Sequence, residues 1–250
     1  GIGGSATNDC GVGMLQALGF AFSDCNGKPV SFGADGVKDI AAIDTSHVSP
    51  LLSRCDFRIA CDVTNPLCGK NGCSSVYGPQ KGADPAMITR MDAWLSAFAT
   101  LTKEHYPLAD PSMPGAGAAG GLGFAFSAYL GATLQSGISI VLEETQMETA
   151  IREADLVITG EGRLDGQTVM GKAPVGIAAL AQKHHKKVIA FCGCAADDAV
   201  LCNAHGIDAY FPILQKPVSL EEAMDPAIAG ENLKKTAEQV FRLLTCSATL

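Results

Sequence analysis

The 250-residue chain is 47% apolar with a mean hydropathy of +0.19, enough for a sizeable core in one large domain or two modest ones, which excludes a disordered chain. Its 18 Lys and Arg against 26 Asp and Glu leave a net charge of −8; with no basic run longer than Lys186-Lys187, a nucleic-acid footprint is excluded. Even its most apolar runs fall short of the roughly 18 residues of a membrane span, so a soluble, cytoplasmic protein acting on small molecules is expected. Its ten cysteines lie in apolar runs such as Ile59-Ala60-Cys61, which suits buried thiols in a reducing compartment rather than a disulfide scaffold. Cys61, Cys68 and Cys73, and the pair Cys192 and Cys194, lack the CxxC spacing of structural zinc. The 28 glycines exceed the usual ~7% and need a reason.

In chain order, Gly1-Ile2-Gly3-Gly4-Ser5 opens on a turn-forming run without the regions of a signal peptide, and a helix is predicted over 9–18. Glycine-marked turns fill 19–36. The apolar strand Phe57–Cys61 ends in Asp62, and Asn65-Pro66 begins a rigid turn that fixes Asn65 as a hydrogen-bond donor. Asp84 is a good N-cap with Pro85 at the first helical position, and Ile88, Met91, Leu95, Phe98 and Leu101 predict a long helix that Tyr106-Pro107 stops. A second glycine-rich run at 114–121 leads into a helix through Phe124 and Tyr129. Beyond it, the strands Leu156–Thr159, Val188–Phe191 and Ala209–Ile213 alternate with helices over 174–185 and 195–205, the pattern of βαβ units in a parallel sheet. Leu233, Ala237, Val240, Phe241 and Leu244 make an amphipathic closing helix. A boundary near Asp155 divides the chain into domains 1–155 and 156–250.

Three loops share the excess glycine. Glycine lets backbone N–H groups converge on an anion, and a following helix N-terminus adds partial positive charge. Gly115-Ala-Gly117-Ala-Ala-Gly120 is a literal GxGxxG, but Asp110–Pro114 rather than a strand precedes it, which leaves close helix packing, a nicotinamide cofactor or another anion loop. Gly166–Ala173 nearly matches a P-loop, yet Ala173 replaces the Mg²⁺-binding hydroxyl; Lys172, ahead of Pro174, is placed to hold an anion. Thr159–Asp165 reads as a loop at the carboxyl end of a parallel strand, where ligands of open α/β sheets bind. There Glu161 or Asp165 suits Mg²⁺ or proton transfer, and Arg163 a carboxylate or phosphate. Asp9 is read as a helix cap.

Taken together and in order, GIGGSATND at 1–9, CDVTNPLCG at 61–69, GPQKGA at 78–83, PGAGAAGG at 114–121 and TGEGRLDGQTVMGKAP at 159–174 resemble the bacterial type of glycerate kinase. The resemblance implies transfer of the ATP γ-phosphate to D-glycerate in organic-acid metabolism, giving 2-phosphoglycerate or 3-phosphoglycerate, with Mg²⁺. It implies an α/β fold of a Rossmann-like domain, here 156–250 as its C-terminal part, and a second α/β domain inserted into it, here 1–155, with the active site in the cleft between them. By motif position it carries over Gly3, Gly4, Ser5, Asn65, Gly117 and Gly120 as substrate- or ATP-binding, and Asp62, Glu161, Arg163, Asp165 and Lys172 as catalytic. Asp62 and Asp165 are the metal candidates, Arg163 faces the glycerate carboxylate, and Lys172 the phosphate. Cys10 stands where the family has glycine. Family members also carry a segment before the first motif, with an opening strand and an Asp-Ser-Phe-Lys motif, so this chain is expected to be an N-terminally truncated and inactive form. The alternatives are a nicotinamide-dependent hydroxy-acid dehydrogenase using the Gly115 loop and a non-catalytic nucleotide- or organic-acid-binding module.

Overall fold

The computed structural model describes residues 1–247; the last three positions of the expected 156–250 domain lie outside the described residues. The chain is mixed α/β and divides into two compact units, Gly1–Gly137 and Ile138–Leu250. The division falls ahead of Asp155 because Ile151 and Met147 pack into the second core.

The first unit holds α1 (Val12–Ala17), β1 (Ala21–Ser23), α2 (Ala34–Val37), β2 (Ala42–Asp44), β3 (Arg58–Ala60), α3 (Cys73–Tyr77), α4 (Pro85–His105), α5 (Ala118–Leu130) and β4 (Thr133–Gln135). The strand β1 lies where only turns were expected, and it pairs antiparallel with β2, in a stretch for which no element was predicted. They are three residues each, too short for an alternating pattern to stand out. The expected strand at Phe57 is β3, and its parallel partner is β4. As predicted, Asp84 caps α4, accepting the Met87 N–H at 2.7 Å, and the helix stops at Tyr106. The core gathers Leu15, Phe22, Leu67, Leu95, Phe98 and Phe124, all essentially sealed from solvent. Tyr129 completes it, packing on Phe20, Phe22, Phe98 and Tyr106 while its hydroxyl meets Thr102 Oγ1 at 2.8 Å. A buried Tyr needs such a partner.

The second unit comprises α6 (Gly137–Glu144, opening on the last residue of the first unit), α7 (Met147–Glu153), β5 (Leu156–Leu164), α8 (Ala173–Lys183), β6 (Lys187–Ala195), α9 (Leu201–Ala204), β7 (Ala209–Pro212), α10 (Leu220–Met224) and α11 (Pro226–Ser247). As the βαβ pattern predicts, β5, β6 and β7 form a parallel sheet in that order, with β5 at one edge among the described residues. One face of the sheet packs Val157, Val188, Ala190 and Cys192 with Val175, Ala178 and Ala181 of α8. On the other face Ile189 and Phe191 meet Val240 and Ala237 of α11. The closing helix is therefore present, but Leu233, Phe241 and Leu244 are exposed rather than buried. Ile158, on the same face at the β5 edge, is 45% exposed. β5 and β6 each run nine residues, so Gly160–Leu164, expected as a loop, is strand. Glu161 pairs with Cys192 and Arg163 with Cys194. Gly160 and Gly193 permit this, because a Cβ on either would overlap a carbonyl oxygen of the neighbouring strand.

Candidate functional site

Four of the five motifs meet in the first unit. The Ile2 N–H donates to Ala60 O of β3 at 3.1 Å, so the opening segment runs beside that strand and its glycines leave at the strand's carboxyl end. Beneath it packs the 114–121 loop. A Cβ at Gly120 would overlap Thr7 O, one at Gly117 would overlap Pro66 O, and one at Gly121 would press on Cys10. The Gly117 N–H donates to Asn65 O and the Cys10 N–H to Gly120 O, both at 2.9 Å. This loop is thus held by close backbone packing, the ordinary one of its three readings, and the GxGxxG glycines join 61–67 to 5–10. Gly3 and Gly4 differ: a Cβ at either would meet nothing within 4 Å, so their backbone is open to a ligand.

Asp9 caps α1 as expected, its two oxygens accepting the Gly11 and Gly13 N–H groups at 3.1 and 3.3 Å. Asp62, just beyond β3, is exposed and accepts the Gly137 N–H at 2.8 Å. Asn65 is a donor, to Asn71 O at 2.9 Å, and also accepts from the Tyr77 hydroxyl at 2.7 Å. Ser5 accepts from Lys81 at 2.9 Å. Lys81, in GPQKGA at 78–83, was not expected at the site; the lone lysine between two glycines was its signal.

The fifth motif is assembled in the second unit at the carboxyl end of β5. Asp165, its side chain 20% exposed, accepts the Gln167 N–H at 3.0 Å. Its carboxylate lies 3.5 Å from Arg163 Nε and 3.7 Å from Lys172 Nζ. Lys172 stands at the N-cap of α8, where no side chain caps the helix. Glu161 accepts a hydrogen bond from the buried Thr168 hydroxyl, which in turn accepts the Asp165 N–H at 3.1 Å. Thr168 was missed; a hydroxyl three residues after an Asp, able to close a local turn, was its signal. The four predicted residues of this unit are therefore adjacent: one carboxylate between two cations and another fixed by a threonine. A Cβ on Gly166 would lie 2.5 Å from Asp198 Oδ2, which adds a further carboxylate. Burial pushes the Cys202 thiol up, and Glu161, Asp165 and Asp198 push it the same way, so the negative field converges here.

Among the described residues no three His, Cys, Asp or Glu side chains are grouped to hold a metal ion by themselves. The Asp165 and Glu161 carboxylates at the β5 end are hard oxygen donors, the ligand type Mg²⁺ takes when water and phosphate complete its shell. Among the described residues no helix is long and apolar enough to cross a membrane.

A sequence profile of the glycerate kinase family matches residues 1–245. The chain is 49% identical, over 89% of its length and 58% of the relative's, to the Escherichia coli K12 protein named glycerate 2-kinase. It is 44% identical to the Haemophilus influenzae glycerate kinase over 98% of this chain and 64% of the relative, and 42% identical to that of Bacillus subtilis 168 over 100% and 65%. A crystal structure from Salmonella typhimurium LT2, provisionally named glycerate kinase 2, superposes with a TM-score of 0.85 at 44% identity, covering 100% of this chain and 64% of that one. The chain spans about three fifths of the length of the curated relatives it matches.

Proposed function

The chain belongs to the glycerate kinase family, and from that premise we propose that it serves the ATP-dependent phosphorylation of D-glycerate to 2-phosphoglycerate, in the cytoplasm and with Mg²⁺. The observation that carries this reading is the grouping of Glu161, Arg163, Asp165 and Lys172 at the carboxyl end of β5, ahead of the uncapped start of α8. In chemical terms, the glycerate hydroxyl oxygen bonds to the γ-phosphorus, the bond from phosphorus to the ADP oxygen breaks, and the hydroxyl proton passes to a carboxylate. Such a transfer asks for positioning and neutralised charge rather than a covalent intermediate.

In this reading Arg163 forks onto the glycerate carboxylate, the geometry a guanidinium suits, and Lys172 with the α8 N-terminus holds phosphate. Asp62 and Asp165 are the carboxylates assigned to Mg²⁺, and Glu161, steadied by Thr168, is the base. Bound Mg²⁺ supplies charge neutralisation on the phosphates. Gly3, Gly4, Ser5 and Asn65 bind substrate or nucleotide from the first unit, with Gly117 and Gly120 supporting them through packing. The Rossmann-like character of 156–250 and the inserted character of 1–155 belong to the same proposal. The name of the E. coli relative, glycerate 2-kinase, supports the 2-phosphate product, and the packed Gly115 loop argues against a dehydrogenase.

The test is ADP release from ATP and D-glycerate, with the chain alone and with the portion of the E. coli relative that lies outside the matched region, the product isomer being read by phosphorus NMR. Glycerate-dependent ADP release with 2-phosphoglycerate is expected. A 3-phosphoglycerate product would correct the regiochemistry, stabilisation by ligands without turnover would favour a binding module, and an ATP-independent nicotinamide absorbance change would overturn the reading. Arg163→Ala should raise the KM for glycerate about 10- to 100-fold, the loss of one charge-assisted contact.

A further inference from the structure

The turn at 78–83 explains itself except at one residue. A Cβ on Gly78 would overlap Ser74 O, and Gly82 takes φ +89. Around them the Lys81 and Ala83 N–H groups donate to Gly78 O, and the Gly82 N–H to Pro79 O, each at 3.0 Å. The glycines thus have backbone reasons, and together they aim the Lys81 side chain back across the chain. Its ammonium donates to Ser5 Oγ at 2.9 Å and to Thr7 O at 2.5 Å, which ties down the loop whose Gly3 and Gly4 face open space.

We infer that Lys81 is an oxyanion-binding residue of the first unit, which orders the Gly3-Gly4-Ser5 loop and presents a charged N–H to a phosphate or carboxylate laid against it. The inference deepens the glycerate kinase reading and takes its class of anion from it. A tether alone needs only a neutral donor, so the charge requires its own explanation. An ammonium has three N–H donors; Ser5 and Thr7 take two, and among the described residues no carboxylate forms an ion pair with the third. The nearby carboxylate of Asp9 acts only at longer range, its oxygens engaged by Gly11 and Gly13. Burial pushes the Lys81 pKa down, against smaller upward pulls from Cys73 and Asp9. A partly dehydrated cation facing two neutral acceptors is stabilised by an incoming anion.

The experiment is calorimetric titration of the full chain with D-glycerate, ADP and inorganic pyrophosphate, each separately and at two salt concentrations, for wild type, Lys81→Gln, Lys81→Arg and Ser5→Ala. Lys81→Gln keeps a donor and removes the charge; it should weaken the anion it holds about 10- to 100-fold, with a ligand-free Tm within about 3 °C of wild type. Lys81→Arg should recover most of the affinity, and Ser5→Ala, which loosens the tether and spares the charge, should lose less. Wild-type affinity should fall with salt more steeply than that of Lys81→Gln. Loss confined to ADP and pyrophosphate identifies a phosphate, and loss confined to glycerate a carboxylate. Unchanged binding in Lys81→Gln, equal losses in Ser5→Ala and Lys81→Gln, or a wild type that binds none of the three overturns the inference. Anion binding that depends on Lys81, without glycerate-dependent ADP release even when the portion of the E. coli relative outside the matched region is supplied, would sink the kinase reading and leave this site standing.

Discussion

At Gly120 the backbone takes φ +71 and an added Cβ would overlap the Thr7 carbonyl oxygen, whereas at Gly3 the same atom would meet nothing within 4 Å. Two glycines that look alike in the sequence thus have different work. Gly120→Ala should cost at least about 2 kcal/mol in urea unfolding, from left-handed strain and a displaced backbone. Gly3→Ala should stay within about 0.5 kcal/mol while weakening ADP binding, and a Gly3→Ala protein that unfolds as easily as Gly120→Ala would contradict the division. Composition signalled that the glycines matter, but which ones pack and which stay open depends on partners over a hundred residues away. Asp9 as a cap and Asp84 as an N-cap were legible because capping is local. Lys81 was not, since its contact to Ser5 spans the folded chain, and Thr168 only in part: its turn with Asp165 is local, but its bond to Glu161 needs β5 to run on past Gly160. The thiols follow the buried expectation in part: burial pushes Cys68 to about 12 and Cys73 to about 11, so labelling at pH 8 should reach the exposed Cys25, Cys55 and Cys194 well before these two.

Among the elements, the long periodic ones were the legible ones: α4, α8, α11 and the parallel order of β5, β6 and β7 follow from spacing that repeats over several turns or strands. Several short elements, β1, β2, α2 and α3 among them, were missed, and β5 was cut at Gly160 because glycine reads as a break. In the folded sheet that glycine instead lets β5 approach β6 closely. At the other end of this sheet the Asp208 carboxylate accepts the Val188 N–H at 2.8 Å and the Lys187 ammonium at 2.9 Å. Partial burial would raise its pKa, but the Val188 N–H and then Lys187 outweigh it and hold it below the ordinary 3.8. A lowered folded-state value means that the contribution is whole above the unfolded-state value and is lost as pH falls through the folded one. Stability should therefore decline below about pH 4 with a share that Asp208→Asn removes, seen as a shallower acid limb in Tm against pH.

For the molecule as a whole, the chain folds around separate cores in two units. Leu95→Ala removes a sealed side chain from the first of them and should cost about 2–5 kcal/mol, with hydrogen exchange rising first among amides of residues 1–137. The helices α6 and α7 carry no distinct linker composition, so only packing assigns them to the second unit. Among the described residues β5 is an edge strand of its sheet, which bears on how the protein behaves in solution. Leu156 to Gly160 present an uncharged row of backbone donors and acceptors beside the exposed Ile158, a template for pairing with a second molecule. A net charge of −8 keeps such encounters rare at low ionic strength, and salt near ~0.5 M screens that repulsion. Light scattering should show the particles growing as salt is added, and Ile158→Lys, a gatekeeper charge on the strand, should hold them at their starting size.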